Sequence, residues 1–196
     1  MKIEIKKLEK ITGYKIKKDF TAIGFDTAKR TGVCQIKTNG KCADLDWTFV
    51  EFDDKIEHTY YKNMVQFFEG SLTNQDLAII ESTFVGQNVM GSISLTRLGA
   101  FGISEAIRKK IPWERIGASS ARSKLKIDAR KFGKGKSKES VAYWLETQLG
   151  IKLDDPDISD AIVLCLLGIC EGMDLRSQAD IAEAKRNAKS KIKNKR

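Results

Sequence analysis

Apolar and polar positions alternate along much of the first half of the chain, which is the pattern of half-buried β-strands. Residues 21–38 contain two such runs joined by a tight turn at 29–32, and a third run covers residues 42–52. Three consecutive strands at this spacing predict an antiparallel meander. A shorter apolar run at 76–84 has the composition of a buried parallel strand.

Helical periodicity separates and follows these strands. Residues 54–69 carry large apolar side chains at helical spacing, and a second helix is predicted over 91–110, with Ile107 on its apolar face. Residues 113–120 predict a fifth strand that leads into a short helix. A helix over 137–149 and an apolar helix after Asp160 complete the chain.

The order of these elements predicts a mixed α/β sheet of five strands with helices on both faces. A chain of 196 residues that is 41% hydrophobic is long enough for one domain with a substantial core. We place that domain at residues 21–172. A basic amino-terminal extension at 1–20 and a basic carboxy-terminal tail at 173–196 flank it.

The net charge of +9 is unevenly distributed along the chain. Residues 1–20 carry +4, residues 122–138 carry +7 and residues 176–196 carry +6, which leaves the rest of the chain at −8. An acidic body with basic segments is the charge distribution of a protein that neutralises phosphates, although a single basic terminus is as often a solvated tail. The internal segment favours nucleic acid as the partner.

The cysteines and the apolar runs place the chain in a broad class. Its four cysteines form no C-x-x-C pair, and two of them lie inside an apolar run, which disfavours a disulfide or metal-binding role. The longest apolar stretch, 161–170, is shorter than the roughly 20 residues of a membrane span. We therefore expect a cytoplasmic protein without a membrane partner, in the host cell cytoplasm if the source is viral.

Carboxylates stand at the ends of two predicted strands and at the start of the last helix. Asp26 ends the first strand and Glu81 ends the fourth, while Asp157 and Asp160 share one face of a first helical turn. An isolated D-x-x-D is more often a solvated turn and a helix cap. Together with two strand-end acids, it matches an oxygen-only site for Mg²⁺ or Mn²⁺, and two such ions would support phosphodiester hydrolysis.

Four motifs occur in an order that resembles the RuvC-type Holliday-junction resolvases of the RNase H-like superfamily. They are "IGFDTAKRTG", "IIESTFVGQN", "GKSKESV" and "DISDAIVLCLLG", and the resemblance runs from about residue 21 to 168. It implies an RNase H-like fold and a metal-dependent endonuclease whose ligands are Asp26, Glu81, Asp157 and Asp160. Thr27 and Ala28 replace the Pro-Gly that cellular members have there, which favours a phage or other viral type.

The same resemblance implies roles for two further residues. Lys138 matches a lysine near the scissile phosphate, although it would also suit an exposed first turn of a helix. Phe84 matches an aromatic residue that engages the junction centre, although a core position would also explain it. His58 lies among polar neighbours, far from the acids, and we expect it at the surface.

The basic side chains of the internal segment form the remainder of the predicted site. Those expected to contact DNA phosphates are Arg122, Lys124, Lys131, Lys134, Lys136 and Lys138. A homodimer is expected, because paired nicks in a two-fold symmetric junction require two sites related by a two-fold axis. The main alternative is a catalytically silent protein that binds branched DNA. An actin-like ATPase is disfavoured, because "DTAKRTG" is a poor glycine-rich phosphate loop.

Overall fold

A mixed sheet with helices on both faces forms the described part of the chain. The computed structural model describes residues 1–52, 57–82 and 89–173. The strands in these residues are β1 (Lys2–Glu4), β2 (Thr21–Asp26), β3 (Arg30–Thr38), β4 (Cys42–Glu51), β5 (Leu77–Glu81) and β6 (Trp113–Ile116). The helices are α1 (Ile5–Thr12), α2 (Glu57–Ser71), α3 (Val89–Arg108), α4 (Ala118–Lys124), α5 (Ser137–Trp144) and α6 (Ser159–Gly168). The predicted α/β class is confirmed.

The strand order in the sheet is β1-β4-β3-β2-β5-β6. Strands β2, β3 and β4 form the predicted antiparallel meander, whereas β5 pairs in parallel with both β2 and β6. The chain therefore leaves the meander at its outer side and returns beside its first strand. Such a change of strand order opens a crevice at the carboxyl ends of the parallel strands.

The sixth strand comes from the basic amino-terminal segment, so the predicted number of five strands was one too few. Strand β1 pairs with β4, with Ile3 opposite Ala43. Ile5 and Leu8 of α1 are buried in the same core as the sheet. A strand of three residues that alternates two exposed charges with one isoleucine is too short for its periodicity to be read from the sequence.

Two apolar cores lie on opposite faces of the sheet. On one face α6 packs against Ala22 and Ile79, together with α1, α4 and α5. On the other face α2 and α3 pack against Ile23 and Ile80. Every residue of α6 is buried, which explains why the helix is apolar around its whole circumference.

The end of α3 differs from the sequence prediction. Ile107 is 58% exposed, so its assignment to the buried face of that helix was wrong. The helix ends at Arg108, which pairs with Glu105 one turn earlier.

No helix within the described ranges combines the length and the apolar character of a bilayer span.

Helix α6 lies unusually close to β2, and Gly24 permits that approach. A Cβ atom at this position would lie 2.7 Å from the carbonyl oxygen of Ala161 and 2.9 Å from the amide nitrogen of Cys165. Both atoms belong to the backbone of α6, so neither can rotate away. The thiol of Cys165 also donates a hydrogen bond to the carbonyl oxygen of Ala22, at 3.3 Å.

We expect Gly24→Ala to lower the free energy of unfolding by about 1–3 kcal/mol, because the added methyl group forces β2 and α6 apart. Gly70→Ala in α2 is the matched control, since a Cβ there meets nothing within 4 Å. Alanine also favours a helix over glycine by up to about 1 kcal/mol, so the control should be neutral or more stable. Urea denaturation measures the free energy of unfolding of both variants. Equal stability of Gly24→Ala and the natural chain would contradict the packing argument.

Candidate active site

Asp26 and Glu81 end the two parallel strands β2 and β5. The register pairs Phe25 with Ile80, which places the next residues, Asp26 and Glu81, side by side at the carboxyl edge of the sheet. Both lie on the face covered by α6, because Ala22 and Ile79 precede them on that face of their strands. Asp26 is only 4% exposed and Glu81 is half-buried.

The first turn of α6 brings a third carboxylate to this edge. Asp160 is buried, and its charge acts on Glu81. Burial raises the pKa of Glu81 to about 9, aided by a hydrogen bond with Asp26 and by the negative charges of Asp26 and Asp160, while Lys138 opposes the shift. Asp26 and Glu81 are therefore neighbours, and Asp160 lies near enough for its charge to act on Glu81.

Lys138 lies in the first turn of α5 and contacts this group directly. Its Nζ atom donates a hydrogen bond to Oδ2 of Asp26 at 3.1 Å. The hydroxyl of Ser159 donates to the carbonyl oxygen of Lys138 at 3.5 Å, which ties α5 to the start of α6. The lysine side chain remains 34% exposed, so the ammonium group lies at the mouth of the site rather than beneath it.

Arg122 forms a contact that the sequence did not indicate. Its guanidinium group binds both carboxylate oxygens of Asp160, with a distance of 2.9 Å from Nε to Oδ1. The side chain of Arg122 is 12% exposed and that of Asp160 is 3% exposed. The sequence analysis placed Arg122 among the phosphate contacts, whereas here it holds a site carboxylate. No sequence signal links two residues that are 38 positions apart.

The other predicted residues lie at the surface or outside the described part of the chain. Phe84, the side chain of Asp157 and the basic tail at 176–196 are not among the described residues. Lys131, Lys134 and Lys136 are exposed in the loop before α5, and Lys124 is half-buried at the end of α4. His58 is exposed on α2, as expected. Asp155, in the acidic stretch before α6, pairs with Arg30.

The donor set of this site suits a hard divalent cation. Asp26, Glu81 and Asp160 offer only oxygen atoms, as Mg²⁺ and Mn²⁺ prefer. The raised pKa of Glu81 reflects its burial first, and then the hydrogen bond and negative charge of Asp26 and the charge of Asp160, which Lys138 offsets only in part. The hydroxyl of Thr27, directly after Asp26, is buried and has no hydrogen-bond partner within the described ranges. The residues therefore fit a divalent cation by charge and by donor type.

The arrangement of the side chains is not yet that of a coordination sphere. Among the side chains that the structure describes, no three of His, Cys, Asp or Glu are grouped closely enough to hold a metal ion. Lys138 pairs with Asp26 and Arg122 pairs with Asp160, so each cation contacts carboxylate oxygens that a metal ion would bind.

The high pKa of Glu81 predicts a specific pH dependence of stability in the presence of a chelator. Unfolded Glu81 ionises near 4.5, whereas in the folded chain its pKa is about 9, so unfolding releases a proton between these values. The free energy of unfolding should therefore fall as the pH rises through this window. Glu81→Gln has no such proton, and its Tm should exceed that of the natural chain by an amount that grows from pH 5 to pH 8.

Thermal unfolding of both chains across this pH range measures the difference. Addition of Mg²⁺ or Mn²⁺ at pH 8 should narrow it, because a divalent cation favours the ionised carboxylate. A difference in Tm that stays constant with pH would show that Glu81 ionises normally.

Comparison with solved structures supports the fold. No protein-family model and no curated protein sequence matches the chain. Among solved structures, the chain is similar to T. thermophilus RuvC in complex with a Holliday junction substrate, with a TM-score of 0.59 and 15% sequence identity over 74% of this chain and 90% of that one. A second T. thermophilus RuvC structure matches with a TM-score of 0.56 and 15% identity, over 74% and 91%.

These likenesses define the class of fold. The chain has an RNase H-like α/β fold, in which acidic residues at the carboxyl edge of the sheet face the first turn of a buried helix. T. thermophilus RuvC is a protein of this fold to which the chain is similar, and the resemblance noted in the four sequence motifs is confirmed at the level of the fold.

Proposed function

We propose that this chain is a divalent-metal-dependent endonuclease that cleaves four-way junctions or other branched DNA by paired nicks. The observation that carries the proposal is the pairing of Asp26 and Glu81 at one edge of an RNase H-like sheet, with Lys138 bound to Asp26 at 3.1 Å and with the charge of Asp160, in the first turn of α6, acting on Glu81. The likeness to RuvC in complex with a Holliday junction substrate supports branched DNA as the substrate class.

Asp26, Glu81, Asp157 and Asp160 would hold the metal, which we propose to be two Mg²⁺ ions per site, with Mn²⁺ able to substitute. A divalent cation supplies Lewis-acid stabilisation of charge on phosphate oxygens and makes bound water more acidic. Lys138 is partly exposed beside Asp26, so its ammonium group would orient the scissile phosphate and stabilise the charge that develops there. Arg122 holds the Asp160 carboxylate at the base of the site.

Electrostatics would position the DNA. The segment at 122–138 carries +7 and ends at Lys138, so phosphates attracted to its exposed lysines approach the acidic group. Lys124, Lys131, Lys134 and Lys136 are the proposed phosphate contacts, and Phe84 is proposed to engage the junction centre. We propose a homodimer, because two nicks in a symmetric junction require two such sites. Thr27 and Ala28 are the basis for proposing a viral, phage-type enzyme.

Incubation of the protein and Mg²⁺ with a synthetic four-way junction, beside a linear duplex of the same sequence, tests this function. We expect paired nicks in the junction and little cleavage of the duplex. No cleavage with Mg²⁺ or Mn²⁺, or equal cleavage of both substrates, would refute the proposal. Tight junction binding without cleavage would instead identify the alternative, a silent branched-DNA-binding protein. The retained acids argue against that alternative.

A further inference from the structure

An exposed aromatic pair lies in the most basic part of the chain. Phe132 is 46% exposed and Tyr143 is 39% exposed. Their ring centroids are 5.4 Å apart and the rings are nearly perpendicular, at 83°. Neither ring belongs to one of the two apolar cores. Large aromatic side chains left at the surface beside one another mark a binding surface more often than isolated apolar residues do.

The loop between α4 and α5 holds Phe132 outward by defined hydrogen bonds. The amide of Phe132 donates to the hydroxyl of Ser140 at 3.4 Å, and that hydroxyl donates to the carbonyl oxygen of Lys136 at 2.9 Å. Gly133 closes a turn by donating to the carbonyl oxygen of Arg130 at 2.8 Å, and its φ of +100° suits glycine. The loop that carries the ring is therefore already folded, so a ligand does not have to order it on binding.

Positive charge surrounds the aromatic pair. The Nζ atom of Lys131 lies 3.9 Å from the centroid of the Tyr143 ring, a cation–π contact. Between Asp128 and Glu139 the loop contains no acidic residue. A pocket of about 460 Å³ opens in the same loop. Its lining residues are Ala129, Arg130, Gly133, Lys134, Gly135 and Ser137. Aromatic faces beside lysines are the composition of a surface that stacks bases and binds phosphates.

The pair is also close to the acidic group along the same helix. Lys138, which contacts Asp26, and Tyr143 are five residues apart in α5. They are about 7.5 Å apart along the helix axis and about 140° apart around it, so their side chains lie on different sides of α5. Successive nucleotides of one DNA strand are spaced by about 3.4 Å in a duplex and further apart when extended. A strand with a phosphate at Lys138 therefore passes around the helix and reaches the aromatic pair after several nucleotides.

We propose that Phe132, supported by Tyr143 and Lys131, is a stacking platform for an unpaired nucleobase of the strand that enters the acidic site. Arg130 and Lys134 bind the phosphates that flank this base. The platform accepts any base, because every base has a π face. This inference rests on the proposed nuclease function and adds to it a preference for DNA that is unpaired several nucleotides from the cleaved bond.

Three variants of the full chain test the platform. Phe132→Leu keeps an apolar side chain and removes the ring, Phe132→Trp keeps a stacking surface, and Trp113→Leu is the matched control. Trp113 is 38% exposed at the start of β6, at the end of that strand opposite to its pairing with Glu81. Both positions are exposed, and thermal unfolding checks that the three variants are folded.

The measurement is the Kd for a single-stranded oligonucleotide and for a duplex of the same sequence, over a range of salt concentrations. Phe132→Leu should weaken single-strand binding about tenfold, while duplex binding changes by less than about twofold. Its salt dependence should stay unchanged, because no phosphate contact is lost. Phe132→Trp should bind the single strand as the natural chain does, and Trp113→Leu should have no effect.

A second readout locates the stacked base. A four-way junction that carries 2-aminopurine at an unpaired position near the branch should lose fluorescence on binding the natural chain, and should lose much less on binding Phe132→Leu. Single-strand affinity that is equal in Phe132→Leu and the natural chain would overturn the platform, as would an equal loss in Trp113→Leu. Intact stacking without junction cleavage would refute the nuclease proposal alone, and no DNA binding at all would overturn both.

Discussion

Asp26→Asn and Glu81→Gln are each expected to abolish junction cleavage while junction binding stays intact or becomes tighter. Each substitution removes a carboxylate from the group at the carboxyl edge of β2 and β5 and keeps the size of the side chain. Neither residue offers a positive charge to a phosphate, and Asp26→Asn also removes negative charge that repels the DNA backbone. Cleavage is measured as single-turnover nicking, and binding as the Kd of the same junction.

Asp46→Asn is the matched control for this pair, since Asp46 is exposed in β4, away from the carboxyl edge. It should cleave as the natural chain does. Asp26 and Glu81 are better targets than Asp160, because removing Asp160 also leaves the buried Arg122 guanidinium without its carboxylate. Cleavage within about tenfold of the natural chain in both variants would refute the assignment of these acids as metal ligands.

Lys138→Ala is expected to lower the single-turnover cleavage rate by about 10²-fold or more, because a cation at the scissile phosphate stabilises charge that develops only in the transition state. The ammonium group reaches Asp26 Oδ2 at 3.1 Å and keeps 34% of the side chain exposed, which places it between the acids and the solvent side where DNA would lie. Ground-state binding should fall far less, since other lysines of the loop still meet phosphates.

Lys134→Ala and Lys136→Ala are the controls for Lys138, because both lysines are exposed in the same basic loop. Each substitution should weaken junction binding modestly and reduce the slope of log K against log salt by the contribution of about one phosphate contact. The cleavage rate at saturating protein should stay unchanged. The rate and the Kd must be measured on one junction at one salt concentration. Equal losses of binding in all three variants, with unchanged saturating rates, would show that Lys138 only holds DNA.

The elements of this fold and the positions of its acids follow from local sequence patterns. Alternation over residues 21–52 defines the meander, and helical spacing defines α2, α3 and α5 with ends displaced by only a few residues. Asp26 and Glu81 are predicted to end their strands because each directly follows a short apolar run, and both do so in the structure. Such signals lie within one element, so neighbouring residues suffice to reveal them. The three-residue strand β1 was missed, because pairing with β4 creates it rather than its own pattern.

The contacts between elements needed the tertiary structure. The parallel pairing of β2 and β5 makes Asp26 and Glu81 neighbours, and the buried pair of Arg122 with Asp160 joins α4 to α6. Lys138 meets Asp26 across 112 residues of sequence. Side-chain partners at such separations depend on packing and desolvation, which no local pattern records. The sequence by itself therefore determined which elements form and where the acids stand, and the tertiary structure decided which cation neutralises each acid.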